Sequence, residues 1–196
     1  TVTGISVGGL PDGIVDAGTL ATNSVDSAEL IDGAIDTAHI GTDQITSAIL
    51  PAGSVLQVVT NTYATETTTT SNTFVSAGFT ASITPSATSS KILCLVHLGG
   101  ILTYSNTENL IATLYRDSTN LGTGGGTTAS TYDGFVAHWV NTSDQTAQSA
   151  SFSVLDSPST TSSITYTPKF GSVGGNTVYI QVWGLTSTIT LLEIAG

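Results

Sequence analysis

Carboxylates are the main supply of chemistry in this chain. A glycoside hydrolase needs two carboxyl groups about 5–9 Å apart on either side of a sugar. Glu108, Asp117, Asp133, Asp144 and Asp156 all fall near predicted turns and could supply them. Nothing in their spacing pairs them, however, and solvated turn acids account for them equally well. The histidines His39, His97 and His138 lie far apart, with no HxxxH-type spacing for a metal. His97 and His138 sit in strand-like patterns and read as ordinary hydrogen-bonded histidines. Cys94, inside Ile92-Leu93-Cys94-Leu95-Val96, reads as a buried thiol, and a single cysteine excludes an intrachain disulfide. The run Gly122-Thr123-Gly124-Gly125-Gly126-Thr127 lacks the Gly-Lys-Ser/Thr ending of a phosphate loop and reads as a mobile loop tip. No GxSxG elbow exists. The expectation is a protein that is not an enzyme and needs no cofactor.

Binding is better supplied than catalysis. Sugar sites commonly set an exposed aromatic face beside amide and carboxylate hydrogen-bonding groups. Two segments have that make-up: Tyr104-Ser105-Asn106-Thr107-Glu108-Asn109, and the loop ending in Tyr132-Asp133. Tyr104, Asn106, Glu108, Asn109, Tyr132 and Asp133 are therefore the expected receptor contacts. Trp139 and Trp183 alternate with core-like neighbours and are expected to pack. Asn141-Thr142-Ser143 is a glycosylation sequon, relevant only to a eukaryotic secretory route.

Composition bounds the partners. Of 196 residues only Lys91, Arg116 and Lys169 are basic, against fourteen acids, for a net charge of −11. Without a basic stripe there is nothing to displace counterions from phosphates, so nucleic acid is not an expected partner. No run approaches the roughly 18 apolar residues of a membrane span, and no membrane insertion is expected. The chain begins at Thr1 rather than Met, as expected of a fragment or processed product. Thr, Ser, Gly, Val and Ile dominate, and β-branched side chains favour pleated sheet over helix. The class is all-β.

Two grammars divide the chain. No aromatic residue precedes Tyr63, and residues 1–50 hold seven acids with no Lys or Arg. Every fifth position from Leu10 is aliphatic: Leu10, Val15, Leu20, Val25, Leu30, Ile35, Ile40, Ile45 and Leu50. Period five fits neither an α-helix, a coiled coil nor collagen. It suits a β-like chain that turns a corner each pentad and points one aliphatic side chain inward. Such units bury little alone and need stacked neighbours. Residues 1–52 are thus expected to be a pentad-repeat stalk, β-helix-like or intertwined as a trimeric stem. Asp16, Asp26 and Asp36 from three chains could form rings that attract a structural Ca²⁺, although solvated corner acids is the leading reading.

Residues 53–196 read as short alternating strands split by turn residues. The expected strands are 54–61, 78–83, 91–102, 110–116, 134–141, 149–155, 162–168, 177–184 and 188–195. Eight or nine strands over this length fit a jelly-roll-like β-sandwich head.

The run Leu30-Ile31-Asp32-Gly33-Ala34-Ile35-Asp36-Thr37-Ala38-His39-Ile40 resembles the stem repeats of bacteriophage tail fibres, particularly marine ones. Gly53-Ser54-Val55-Leu56-Gln57-Val58-Val59 resembles the entry to their terminal domains. Ala81-Ser82-Ile83-Thr84-Pro85-Ser86, Ser89-Ser90-Lys91-Ile92-Leu93 and the closing Ser187–Ala195 run fit the same pattern. The resemblance covers residues 10–196. It implies a homotrimer on a virion, joined to an upstream fibre or virion component, whose distal head binds a host-surface glycan or protein. His39 stands where the family repeat often carries Lys, so basic neutralisation of the stalk acids is missing here. A bacterial surface adhesin or extracellular filament subunit shares this Thr-rich β composition, and a fibre-borne depolymerase is a further alternative.

Overall fold

A computed structural model describes residues 35, 38–42, 44–46, 49–104, 108–122, 124–139 and 146–196. The chain divides into two units, Thr1–Thr46 and Ser47–Gly196, and the described strands belong to the second. Of the stalk ladder, Leu10, Val15, Leu20, Val25 and Leu30 lie outside the described residues, as do Asp16, Asp26 and Asp36. Ile35, Ile40 and Ile45 are exposed in the single chain, and Leu50 is half-buried.

The second unit is an antiparallel two-sheet sandwich. Its strands are β1 (Val55–Tyr63), β2 (Thr67–Thr69), β3 (Val75–Ser76), β4 (Ala81–Ile83), β5 (Lys91–Thr103), β6 (Asn109–Arg116), β7 (Thr119–Asn120), β8 (Val136–Trp139), β9 (Thr146–Asp156), β10 (Ile164–Ser172), β11 (Val178–Ile180) and β12 (Ser187–Ile194). Several are halves of one interrupted strand. In the first sheet β5 pairs with β9 on one edge and with both β12 and β11 on the other, and these pair in turn with β1 and β2. In the second, β10 pairs with β6 on one edge and with β3 and β4 on the other, while β6 carries β8 and β7 on its far edge. Each sheet is therefore four strands wide.

Alternation decides what lies between the sheets, since successive side chains of a strand point to opposite faces. From β5, Ile92, Cys94, Val96 and Leu98 point inward; from β12, Ile189 and Leu191; from β6, Leu110, Ala112 and Leu114; from β10, Ile164, Tyr166 and Phe170. Burial pushes the Cys94 thiol up to about 12, with the nearby Asp156 charge adding to the effect. Burying an aliphatic side chain of this size contributes about 1.5–3 kcal/mol, so these rows supply the main cohesion of the unit. A smaller cluster, Phe74, Ile111, Tyr115 and Ala129, covers the outer face of β6, with the Lys169 ammonium 3.9 Å above the Tyr115 ring centre.

Two departures from the expected strands have local causes. The strand expected over 162–168 has as its last residue Pro168, which lacks a ladder donor. Instead β10 continues to Ser172, because Pro168 sits between the segments that β4 and β3 cover. Its carbonyl accepts from the Ala77 N–H on that side, and the Ala77 carbonyl, denied the return bond by proline, accepts instead from the Gln181 amide at 3.3 Å and the Thr67 hydroxyl at 3.4 Å. The strand expected over 177–184 is broken at Gln181 and Trp183, both left-handed at φ 61° and 59°. Opposite them β5 carries a bulge at Gly99-Gly100. The Gln181 N–H donates to the Gly99 carbonyl (2.8 Å), and a Cβ on Gly99 would meet the Thr186 carbonyl. The two irregularities match, and only glycine lets the backbones approach so closely.

Candidate functional site

The ends of the sandwich differ in kind. One end carries the start of β1, where Gly53 and Ser54 exchange backbone hydrogen bonds with Ala195, and the turns after β4, β6 and β9. The other end gathers the ends of β2, β5, β8 and β10 with the starts of β6, β9 and β11. Tyr104 follows β5 there, Asn109 opens β6, and Trp139 closes β8 directly opposite Asn109.

Glu108 is the strut of this end. It is fully buried, and its carboxylate accepts backbone N–H groups from Asn109 (3.0 Å), Gly174 (2.9 Å) and Asn176 (2.8 Å). Burial alone would raise its pKa. The Gly174 and Asn176 N–H groups, the Ser172 hydroxyl and the Asn109 N–H outweigh that and hold it below the ordinary carboxylate value. One side chain thereby ties the β10–β11 turn to the start of β6. The expectation that Glu108 faces a ligand is corrected, because its oxygens are occupied by backbone donors.

Asp133 belongs to the same kind of device. Its Oδ2 accepts from the Gly126 N–H (3.0 Å), and any Cβ on Gly124 or Gly126 would collide with its carboxylate. Asn120 completes the tie by donating to the carbonyls of Gly126 (2.7 Å) and Asp133 (2.9 Å). The glycine run expected to be a free loop tip is thus held against the body of the protein.

What remains available at the surface is aromatic, with the Asn109 amide nitrogen beside it, while the Asn109 amide oxygen is buried. Tyr104 is 46% exposed and stands edge-on to Tyr179, with ring centres 5.0 Å apart. Tyr132 is 50% exposed, holds a left-handed φ of 58°, and its hydroxyl accepts from the Asn109 amide at 3.2 Å. Non-glycine residues in that region cost about 1–3 kcal/mol and cluster at functional sites. Trp139 is 71% exposed, so the expectation that it packs is corrected. Cross-strand pairs share a face, and Leu110 opposite His138 and Ala112 opposite Val136 are inward. That register turns His138 in and Trp139 out. Trp183, also expected to pack, is likewise 71% exposed, carried outward by the break between β11 and β12. Asn106 lies outside the described residues.

The arrangement thus joins Tyr132, Asn109 and Trp139 in one group, with Tyr104 and Tyr179 on the same end. Trp139 and Tyr179 were not among the expected contacts. Pairing with β6 turns Ala137 and Trp139 of β8 outward, while Phe135 just before the strand packs on the core against Phe152. Of the remaining chemical candidates Asp144 lies outside the described residues, and His97, His138, Asp156 and Asp117 are engaged in ordinary structure. His97 Nδ1 bonds Ser151 Oγ at 2.9 Å, and the Gln148 amide bonds His138 Nδ1. Asp156 pairs with Arg116 at 2.8 Å and accepts from the Tyr166 hydroxyl at 2.7 Å. Asp117 accepts from the Thr165 N–H. Among the described residues no group of three or more His, Cys, Asp or Glu could hold a metal ion. Among them, too, no helix is long and apolar enough to cross a membrane.

Fold and site define an antiparallel β-sandwich with an aromatic and amide surface at one end. No family model matches the sequence, and no curated protein does. Among solved structures, that of the infectious bursal disease virus Gx strain is similar at 15% identity and a TM-score of 0.35, over 73% of this chain and 34% of that one. Infectious bursal virus derived T=1 particles match at 12% identity and a TM-score of 0.35, over 80% and 40%. This chain spans less than half the length of either, and likeness at that level carries no argument about function.

Proposed function

We propose that this chain is the distal part of a trimeric phage tail fibre, in which a repetitive stalk carries a jelly-roll head that adheres to a host-surface glycan. Merging the interrupted strands gives eight, ordered 1-8-3-6 in one sheet and 2-7-4-5 in the other, which is the double Greek-key arrangement of a jelly roll. One observation carries the adhesion reading: exposed Tyr132 and Trp139 flank Asn109 at the end of the sandwich remote from the start of β1. Aromatic faces stack on the apolar face of a sugar ring while an amide orients its hydroxyls. A general acid needs a raised pKa, and Glu108 among the candidate carboxylates does not meet that need. Glu108 and Glu193 are instead held below the ordinary value.

The test is attachment of the full chain to host cells, with Trp139→Ala, Tyr132→Ala and, as an equally exposed control elsewhere, Trp183→Ala. Loss of attachment in the first two with the control unaffected is expected. Retained attachment in both, or loss confined to Trp183→Ala, overturns the assignment of this end.

A further inference from the structure

The outer face of the first sheet carries an exposed aliphatic row among hydroxyl side chains. Val58 stands opposite Leu192, Leu192 opposite Leu93, and Leu93 opposite Leu155. All four point away from the core, since Val59, Leu191, Cys94 and Val154 beside them point into it. An aliphatic row therefore crosses all four strands, and its outer members Val58 and Leu155 are more than half exposed. The next row is Thr60, Thr190, Leu95 and Ser153, and beyond it lie Thr62, Thr188, His97 and Ser151. Thr190, Leu95 and Ser153 of the second row and Thr188, His97 and Ser151 of the third line an open groove of about 510 Å³.

We infer that this face is where a second copy of this chain docks. Charge selects the occupant. In a ring of identical copies, equivalent residues converge on the axis, so an acid there would face its own copies. The chain carries fourteen acids, yet none of the described ones is an outward residue of β1, β12, β5 or β9. Glu193 and Asp156, the acids of these strands, are turned inward onto Ser86, Ser90 and Gln57 and onto Arg116. A basic partner would find nothing to pair with here, and an anionic one would meet only Lys91, at the margin. Size agrees as well. Strands about 4.8 Å apart, carrying these three rows and a fourth of Val55, Ile194 and Lys91 about 6.6 Å apart, give a footprint near 500 Å² per copy. Two such footprints total about 1,000 Å², the lower limit of a specific interface. The inference deepens the self-association in the proposed function by giving it a surface on the head.

The test uses thiol crosslinking, for which Cys94 is silent because it is buried. Ser153→Cys puts a thiol on this face, and Ser82→Cys puts one on the exposed outer side of β4 in the other sheet. Full-length chains are treated with a short bismaleimide at dilute concentration, and their mass is measured by sedimentation. Crosslinking of Ser153→Cys at least tenfold above Ser82→Cys, abolished by adding Leu95→Glu, is the expected result. An assembled chain in which both thiols crosslink equally, or in which Leu95→Glu leaves the crosslink intact, overturns this surface while leaving a trimer standing. A monomeric wild-type chain overturns both.

Discussion

Replacing Glu108 by Gln tests the physical account of the aromatic end most directly. Of three backbone donors, Oε1 accepts those of Asn109 and Gly174, and Oε2 accepts that of Asn176. Glutamine has one acceptor oxygen. Its best placement keeps the first two bonds and turns the NH₂ toward the Asn176 N–H, orphaning a buried donor. A hydrogen bond to a charged group contributes about 1.5–3 kcal/mol, and an unsatisfied buried polar group costs about 1–3. Because some relaxation is available, a net loss of about 2–3 kcal/mol is expected. For a unit of about 150 residues each kcal/mol moves Tm by about 2–4 °C, so Tm should fall by about 4–12 °C at neutral pH. The sign of the pH dependence follows from the lowered pKa. As pH falls, the unfolded chain takes up this proton first. The stabilisation is complete above the ordinary glutamate value of about 4.3 and is lost as pH drops through the lower folded value. The variant cannot titrate there, so the gap between the two proteins should narrow in acid, and Glu193, present in both, cancels. Calorimetry from neutral pH to about pH 3 reads this directly. An unchanged Tm at neutral pH, or a gap that stays constant into acid, would refute the reasoning.

Gly99→Ala should cost more than about 2 kcal/mol in chemical denaturation, because the added methyl meets backbone that the β5 bulge cannot move aside. Cys94 should resist alkylation in the native protein at neutral pH and label fully in denaturant, given a pKa of about 12; fast native labelling would contradict its burial. Ile35→Asp or Leu30→Asp should abolish assembly measured by sedimentation if the period-five ladder lines a shared axis, since an unpaired buried charge costs several kcal/mol. With seven acids and no cation in residues 1–50, the assembled stalk should melt higher on adding salt or calcium. An unmoved transition removes the cation idea.

Much of the architecture was legible before any coordinates. β-Branched composition and period-two alternation establish strands, because both follow from backbone sterics within a few residues. Thus β1, β5, β6, β9 and β12 lie close to where alternation places them, and the first aromatic at Tyr63 falls near the start of the sandwich. The exposure of Tyr104 and Tyr132 was likewise readable, since both interrupt alternating runs. What alternation cannot tell is which of two faces meets the other sheet. For β8 that was decided by pairing with β6, which turned Trp139 outward against its local pattern. Glu108 escaped for a related reason: the Gly174 and Asn176 N–H groups that accommodate it lie more than 60 residues away in the chain. Composition alone determined that this is an acidic, hydroxyl-rich β protein. The side each residue turns to the core, and the donors that meet a buried charge, depend on non-local strand pairing, and only the tertiary structure decided them.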